Sequence, residues 1–150
     1  MDSLTPSQRS KLMSRVPQRH SKPELAVRKL LTEAGYRYTL HARNLPGSPD
    51  IVFSRRKKVI FLHGCFWHRH PNCNKATMPK TRTEFWAEKF KANVRRDSKA
   101  ISDLKRLGWK VMVVWECQIG SPKMLGSKLF RFLGTAPSQS RSHHEGRRAN

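Results

Sequence analysis

Two short runs, Val59-Ile-Phe-Leu62 and Lys110-Val-Met-Val-Val-Trp115, would place apolar side chains on both faces of an extended chain. Such strands need helices on both sides of their sheet, so an α/β architecture is expected. The helical signals are present. Ser21-Lys-Pro-Glu opens a helix with Pro23 in the first turn and Glu24 at the positive end of the dipole. Val27, Leu30, Leu31 and Ala34 then share one apolar face, and Gly35 ends it. Tyr36 to Leu40 alternates like an edge strand. The turn residues Asn44, Pro46, Gly47 and Ser48 lead into Ile51-Val-Phe53, and basic Arg55 to Lys58 turn the chain back. Pro71 to Thr83 reads as a loop. Thr83-Glu84 opens a long helical region to Leu107, with a break near Asn93 allowed, and Gly108 stops it. Ser121-Pro122 caps a last helix reaching about Leu133. The order predicts one domain with a small mixed sheet flanked by helices.

A chain of 150 residues fits one such core. Residues 1–22 are polar and basic and read as an arm, 23–134 as the working domain, and 135–150 as a disordered basic tail. Lys and Arg number 31 against 10 Asp and Glu, a formal charge of +21, which points to a polyanionic partner. The basic residues are spread along the chain, with no membrane-length apolar run, so nucleic acid is favoured over a lipid surface. The N-terminal stretch lacks the apolar core of a secretory signal, so a cytoplasmic, soluble protein is expected, with a monomer as the default. Cys65, Cys73 and Cys117 are an odd number, which favours metal ligation over a disulfide framework.

Asp50 precedes one strand and His63 ends the next, so a short hairpin brings both to the same end of the sheet. A hard cation such as Mg2+ would find oxygen ligands in Asp50, the Leu62 backbone carbonyl and substrate phosphates. Phosphodiester hydrolysis needs a deprotonated water and a protonated leaving group, tasks for His63 and His68. Alone, Asp50 could equally cap a Pro-Gly-Ser-Pro turn. From 63 to 73 the chain also packs Cys65, His70 and Cys73. With Cys117, one histidine would complete a closed Cys3His zinc shell, and His70 suits it because a short loop to Cys73 can wrap the ion. The alternative is three buried thiols. Phe66, Trp67 and Trp86 lie among basic residues and suit base stacking, or else cover the zinc loop. Trp109 and Trp115 are expected in the core.

Four ordered blocks, PGSPDIVF, VIFLHGCFWHRHPNC, TRTEFWAEKFKANVRRD and LGWKVMVVWEC, resemble those of the Vsr (very-short-patch repair) mismatch endonucleases, over about Ser10 to Cys117. The resemblance implies a fold like that of type II restriction endonucleases. It also implies a Mg2+-dependent enzyme that nicks one strand next to the thymine of a T:G mismatch, the lesion left by deamination of 5-methylcytosine. By the same resemblance Asp50 and the carbonyl of Leu62 bind magnesium, His63 and His68 are the catalytic pair, and Glu24 supports the metal site. Cys65, His70, Cys73 and Cys117 correspond to structural zinc ligands. Phe66, Trp67 and Trp86 correspond to an intercalating wedge with Met13 entering from the other groove, and Lys89 and Asn93 to readers of the mismatched pair. Duplex DNA is then the partner, with other mismatch-repair proteins as further candidates and a nucleoid-associated location.

This sequence departs from the family pattern at Leu62, where a threonine is familiar, at Arg69, which interrupts a histidine run, and at Pro71-Asn72, which lengthens the loop before Cys73. Two other classes compete: a zinc-stabilised nucleic-acid binder without catalysis, and a basic ribosome-associated protein. A pure binder has no need of Asp50, His63 and His68 together, and a ribosomal role leaves the cysteine and histidine cluster without purpose.

Overall fold

The computed structural model describes residues 21–135. Met13, the arm up to residue 20 and the tail from residue 136 lie outside the described residues. Helix α1 (Lys22–Glu33) starts on Ser21, whose hydroxyl accepts from the Glu24 N–H at 3.4 Å. Then come β1 (Thr39–Leu40), β2 (Ile51–Phe53) and β3 (Lys58–His63), followed by α2 (Thr83–Arg106), β4 (Lys110–Trp115), a 3-10 turn (Glu116–Gln118) and α3 (Pro122–Leu133). The four strands form one mixed sheet in the order β1-β2-β3-β4. The first three are antiparallel, and β4 runs parallel to β3 because the long α2 carries the chain back across the sheet.

The apolar runs behave as their pattern requires. Ile51, Phe53, Ile60 and Val114 pack with Val27 and Leu31 of α1 and Leu125, Leu129 and Leu133 of α3. Val52, Val59 and Phe61 face the other way, onto Ala100 and Leu104 of α2. Every second strand residue therefore meets a different helix layer. By that alternation Asp50 and His63 continue the α2 face, which decides where a site can form.

Two expectations need correction. Helix α2 runs unbroken through Asn93, because its apolar face keeps its spacing through Trp86, Phe90, Ala100 and Leu104, all buried. The edge strand is only Thr39–Leu40, since Gly35 and Tyr36 are used in closing α1, the Tyr36 N–H donating to the Leu31 carbonyl.

The basic turn after β2 acts structurally. Arg56 donates to the Leu133 carbonyl and Lys58 to the Phe132 carbonyl, capping the negative end of α3, while Lys57 lies over the Trp109 ring. Gly47 sits at φ 74°, where a Cβ would come within 2.5 Å of the Ala100 Cβ. Its lack of a side chain lets the loop leading to Asp50 lie against α2.

Candidate active site and metal centre

Where β2 begins and β3 ends, beside the N-terminal part of α1 and the middle of α2, a cleft of about 740 Å³ opens, lined among others by Asp50, His63, His68, Lys89, Asn93 and Asp97. The pairing Ile51↔Ile60 sets Asp50 across from the end of β3. One Asp50 oxygen accepts from the Leu62 N–H at 2.7 Å. Burial, only partly offset by that bond, pushes its carboxyl up to about 6. A buried carboxylate with so little compensation is suited to a cation.

Glu24 is fully buried beside it. Its carboxylate accepts from Arg28 at 3.2 Å and pairs with His41 Nε2 at 3.1 Å. Donor atoms of Glu24, His41 and Asp50 all lie within 4.8 Å of one another, so the group could hold a metal ion. Glu24 was expected near this site; His41 was not, because it stands alone in a turn and meets Glu24 only in the fold.

Past β3 the chain makes a tight turn that brings His68 back over His63. Their rings stack at 3.9 Å between centroids and 5° between planes. His68 Nδ1 lies 2.6 Å from an oxygen of Asp97 on α2. That geometry fixes the imidazole and leaves Nε2 for other contacts, the usual arrangement of a carboxylate-oriented acid or base. His63 Nδ1 is buried with no hydrogen-bond partner among the described residues. Burial first, and the neighbouring His68 second, push His63 down to about 4, so it is neutral at physiological pH.

These shifts set opposite pH dependences. His63 prefers its neutral form in the fold, so its contribution to stability is complete above the unfolded value near 6.5 and is lost as pH falls toward 4. Asp50 prefers its protonated form, so without metal its contribution is present below about 4 and is lost as pH rises through 6. Metal binding needs the carboxylate, so divalent-ion affinity should rise as pH increases through about 6. Isothermal titration at pH 5.5 and 7.5 checks this, and equal affinities at the two values would contradict it.

Donor atoms of His63, His68 and Asp97 also lie within 4.8 Å of one another, and a third group that could hold a metal ion lies on the other side of the same turn. Cys65, His70, Cys73 and Cys117 bring one ligand atom each within 4.8 Å of the others. His70 Nδ1 is 3.6 Å from Cys65 Sγ and 3.4 Å from Cys117 Sγ. Such separations match the edges of a tetrahedron with zinc bonds of about 2.0 to 2.3 Å. Burial pushes the Cys65 thiol up to about 12, whereas Cys73, hydrogen-bonded to the backbone of Lys75, is lowered. Glu116 accepts from the Cys65 N–H at 3.0 Å and ties the turn to the segment that carries Cys117. Trp115, expected in the core, instead stands between the two centres, stacked on His70 at 4.2 Å and edge-on to His63 at 5.2 Å. Its position is set by ending β4 beside His63, its register partner.

Phe66 and Trp67 are half-buried at the mouth of the cleft, in edge contact at 5.1 Å. Trp86 is only 8 % exposed, packed against both of them and Phe90. It backs the aromatic pair and presents little surface of its own. Asn93 donates to the Trp67 carbonyl at 3.2 Å and accepts from Arg96, and Lys89 lies one turn earlier along the same helix face. Asp97 continues that line and was missed within the charged run Arg95-Arg-Asp-Ser-Lys99; its place one turn after Asn93 was the available signal.

Residues 1–75 match the family model for DNA mismatch endonuclease Vsr. The chain is 44 % identical over 132 residues to the type II nicking enzyme V.XorIIP of Xanthomonas oryzae pv. oryzae, covering 88 % of this chain and 96 % of that one. It is 42 % identical to the type II nicking enzyme V.NmeAIP of Neisseria meningitidis serogroup A, covering 88 % and 94 %. To the DNA mismatch endonuclease Vsr of Escherichia coli it is 46 % identical over 111 residues, 74 % of this chain and 70 % of that one.

Proposed function

Since the chain belongs to the Vsr family of DNA mismatch endonucleases and is an endodeoxyribonuclease, we propose that it nicks one strand next to the thymine of a T:G mismatch. On this reading it requires Mg2+ and initiates very-short-patch repair of deaminated 5-methylcytosine. The observation that carries the reading is the meeting of Asp50 with the His63, His68 and Asp97 group in one cleft whose wall is Lys89 and Asn93.

On this reading Asp50 and the Leu62 carbonyl would hold Mg2+, with Glu24 supporting the site. When bound, the ion would stabilise charge on the scissile phosphate and lower the pKa of a water. His68, oriented by Asp97, takes the proton of the attacking water as its oxygen bonds to phosphorus; the bond from phosphorus to the leaving sugar oxygen breaks and that oxygen takes a proton from solvent, while neutral His63 holds a hydrogen bond at the reacting phosphate. Cys65, His70, Cys73 and Cys117 would take Zn2+ as a closed, structural shell. Phe66 and Trp67 enter the duplex as a wedge with Trp86 as its packed base, and Met13 of the basic arm enters from the other groove. Lys89 and Asn93 read the mismatched pair. Unstacking a base step costs a few kcal/mol and a mismatch lowers that cost, which supplies part of the selectivity.

We read the mixed sheet, with α2 on one face and α1 and α3 on the other, as a restriction-endonuclease-like core over residues 23–134. No helix among the described residues is long and apolar enough to cross a membrane. A monomer acting in the cytoplasm on nucleoid DNA, with other mismatch-repair proteins as partners, fits this reading. The test is incubation with Mg2+ and T:G duplexes carrying randomised flanks, beside matched T:A and C:G duplexes, followed by denaturing electrophoresis. A nick confined to the thymine strand of T:G duplexes is expected. Absence of nicking in every flanking context would refute it.

A further inference from the structure

The residue between the two histidines that serve different centres has no role in the reaction above, yet its geometry is unusual. Arg69 sits at φ 54°, a left-handed conformation that favours glycine. It closes a helical turn in which the His68 N–H donates to the Gly64 carbonyl at 3.1 Å and the His70 N–H to the Cys65 carbonyl at 3.0 Å. That is the pattern of a helix end with Arg69 as the left-handed residue. The reversal of hand there separates its neighbours: His68 turns to His63 and Asp97, and His70 to Cys65 and Cys117.

The guanidinium then ties three segments together. It donates to the Phe66 carbonyl at 3.2 Å, the Thr77 carbonyl at 2.9 Å and the Ala76 carbonyl at 2.9 Å. It also lies 4.0 Å above the Phe90 ring of α2 and 5.7 Å from that of Phe66. Residues 76 and 77 follow Cys73 in a stretch with neither helix nor strand, and Phe90 adjoins Lys89 on α2. A planar, permanently charged fork can meet several carbonyls and a ring face at once, which an ammonium cannot.

We propose that Arg69 is a positioning residue for strand nicking, setting the register between the histidine pair, the aromatic residues at the cleft mouth and α2. The inference rests on the nicking activity and on the roles given above to His68 and Phe66. It does not depend on which mismatch is recognised.

The experiment uses the full chain with Arg69→Gly, which keeps a residue suited to the left-handed backbone while deleting the guanidinium, and Arg69→Lys, which keeps the charge without the fork. Zinc per chain, duplex affinity and single-turnover nicking rate are measured on a mismatched duplex that the parent cleaves. Both variants should keep the parent's zinc content and bind within about threefold, while nicking slows on the order of 10- to 100-fold, as a small misplacement of catalytic groups produces. A nicking rate within about twofold of the parent in either variant overturns the proposal. So does a loss confined to affinity, or one accompanied by loss of zinc or of the folded state, since Arg69 would then serve stability alone. If the parent leaves T:G uncut but cuts another mismatch, the T:G reading fails and the Arg69 comparison is made on that duplex.

Discussion

Asp50→Asn should lower the nicking rate by roughly a thousandfold or more while leaving duplex affinity within a few-fold of the parent. The argument is one of charge. Asn retains an acceptor for the Leu62 N–H but offers a cation no negative oxygen, and losing metal stabilisation of several kcal/mol corresponds to that factor. The same substitution should leave the metal-free fold as stable as the parent or more so. In the fold the Asp50 carboxyl is raised from 3.8 to about 6 by burial, so keeping it ionised near pH 7.5 costs up to about 3 kcal/mol. Thermal melts in chelator and single-turnover nicking in excess Mg2+ test the two halves together. Loss of binding and of folding alongside nicking would mean that Asp50 holds its turn together and does not serve the reaction.

Asp50, His63, Cys65 and Cys73 were legible because their positions follow from strand ends and from the spacing of a short loop, both local properties, whereas Cys117 was reached only through the ligand count of a zinc shell and the family resemblance. The two apolar runs predicted a sheet covered on both faces, and Ile51, Ile60 and Val114 indeed meet different helices from Val52 and Val59. The residues that complete the site were hidden because their partners are distant in the chain. His41 meets Glu24 across 17 positions, Asp97 meets His68 across 29, and Glu116 meets Cys65 across 51. His41 and Asp97 lie in segments whose composition alone reads as ordinary surface, and Glu116 follows an apolar strand that gives no sign of its partner. Trp115 was misplaced for a related reason. An apolar pattern marks it as wanting burial but does not say against what, and the basic residues around Trp86 suggest stacking without showing how deeply it packs. Trp115 found imidazoles and Trp86 found the cleft aromatics.

The other large effect is expected from a substitution two residues away from His68. His70→Ala should drop zinc from about one ion per chain to a small fraction, since a tetrahedral structural shell keeps no spare ligand. His68→Ala should retain the zinc and lose nicking, because its ring faces His63 and Asp97 and not the thiols. Metal analysis of both variants after dialysis decides the assignment, and full zinc in His70→Ala would sink it. The zinc-free variant should also melt earlier and over a broader range, because a bound ion would tie Cys65 and Cys73 to Cys117, just past the end of β4. Structural zinc binds with an apparent free energy of about 10 to 16 kcal/mol at neutral pH, so even partial loss is large against the stability of a small domain. Nicking should fall in both variants for different reasons. In His68→Ala the proton-moving group is gone. In His70→Ala the group remains but the turn from Gly64 to His70, which orients it, has lost its anchor. Added Zn2+ should therefore restore neither, and Mg2+ affinity at Asp50 should be unchanged in His68→Ala.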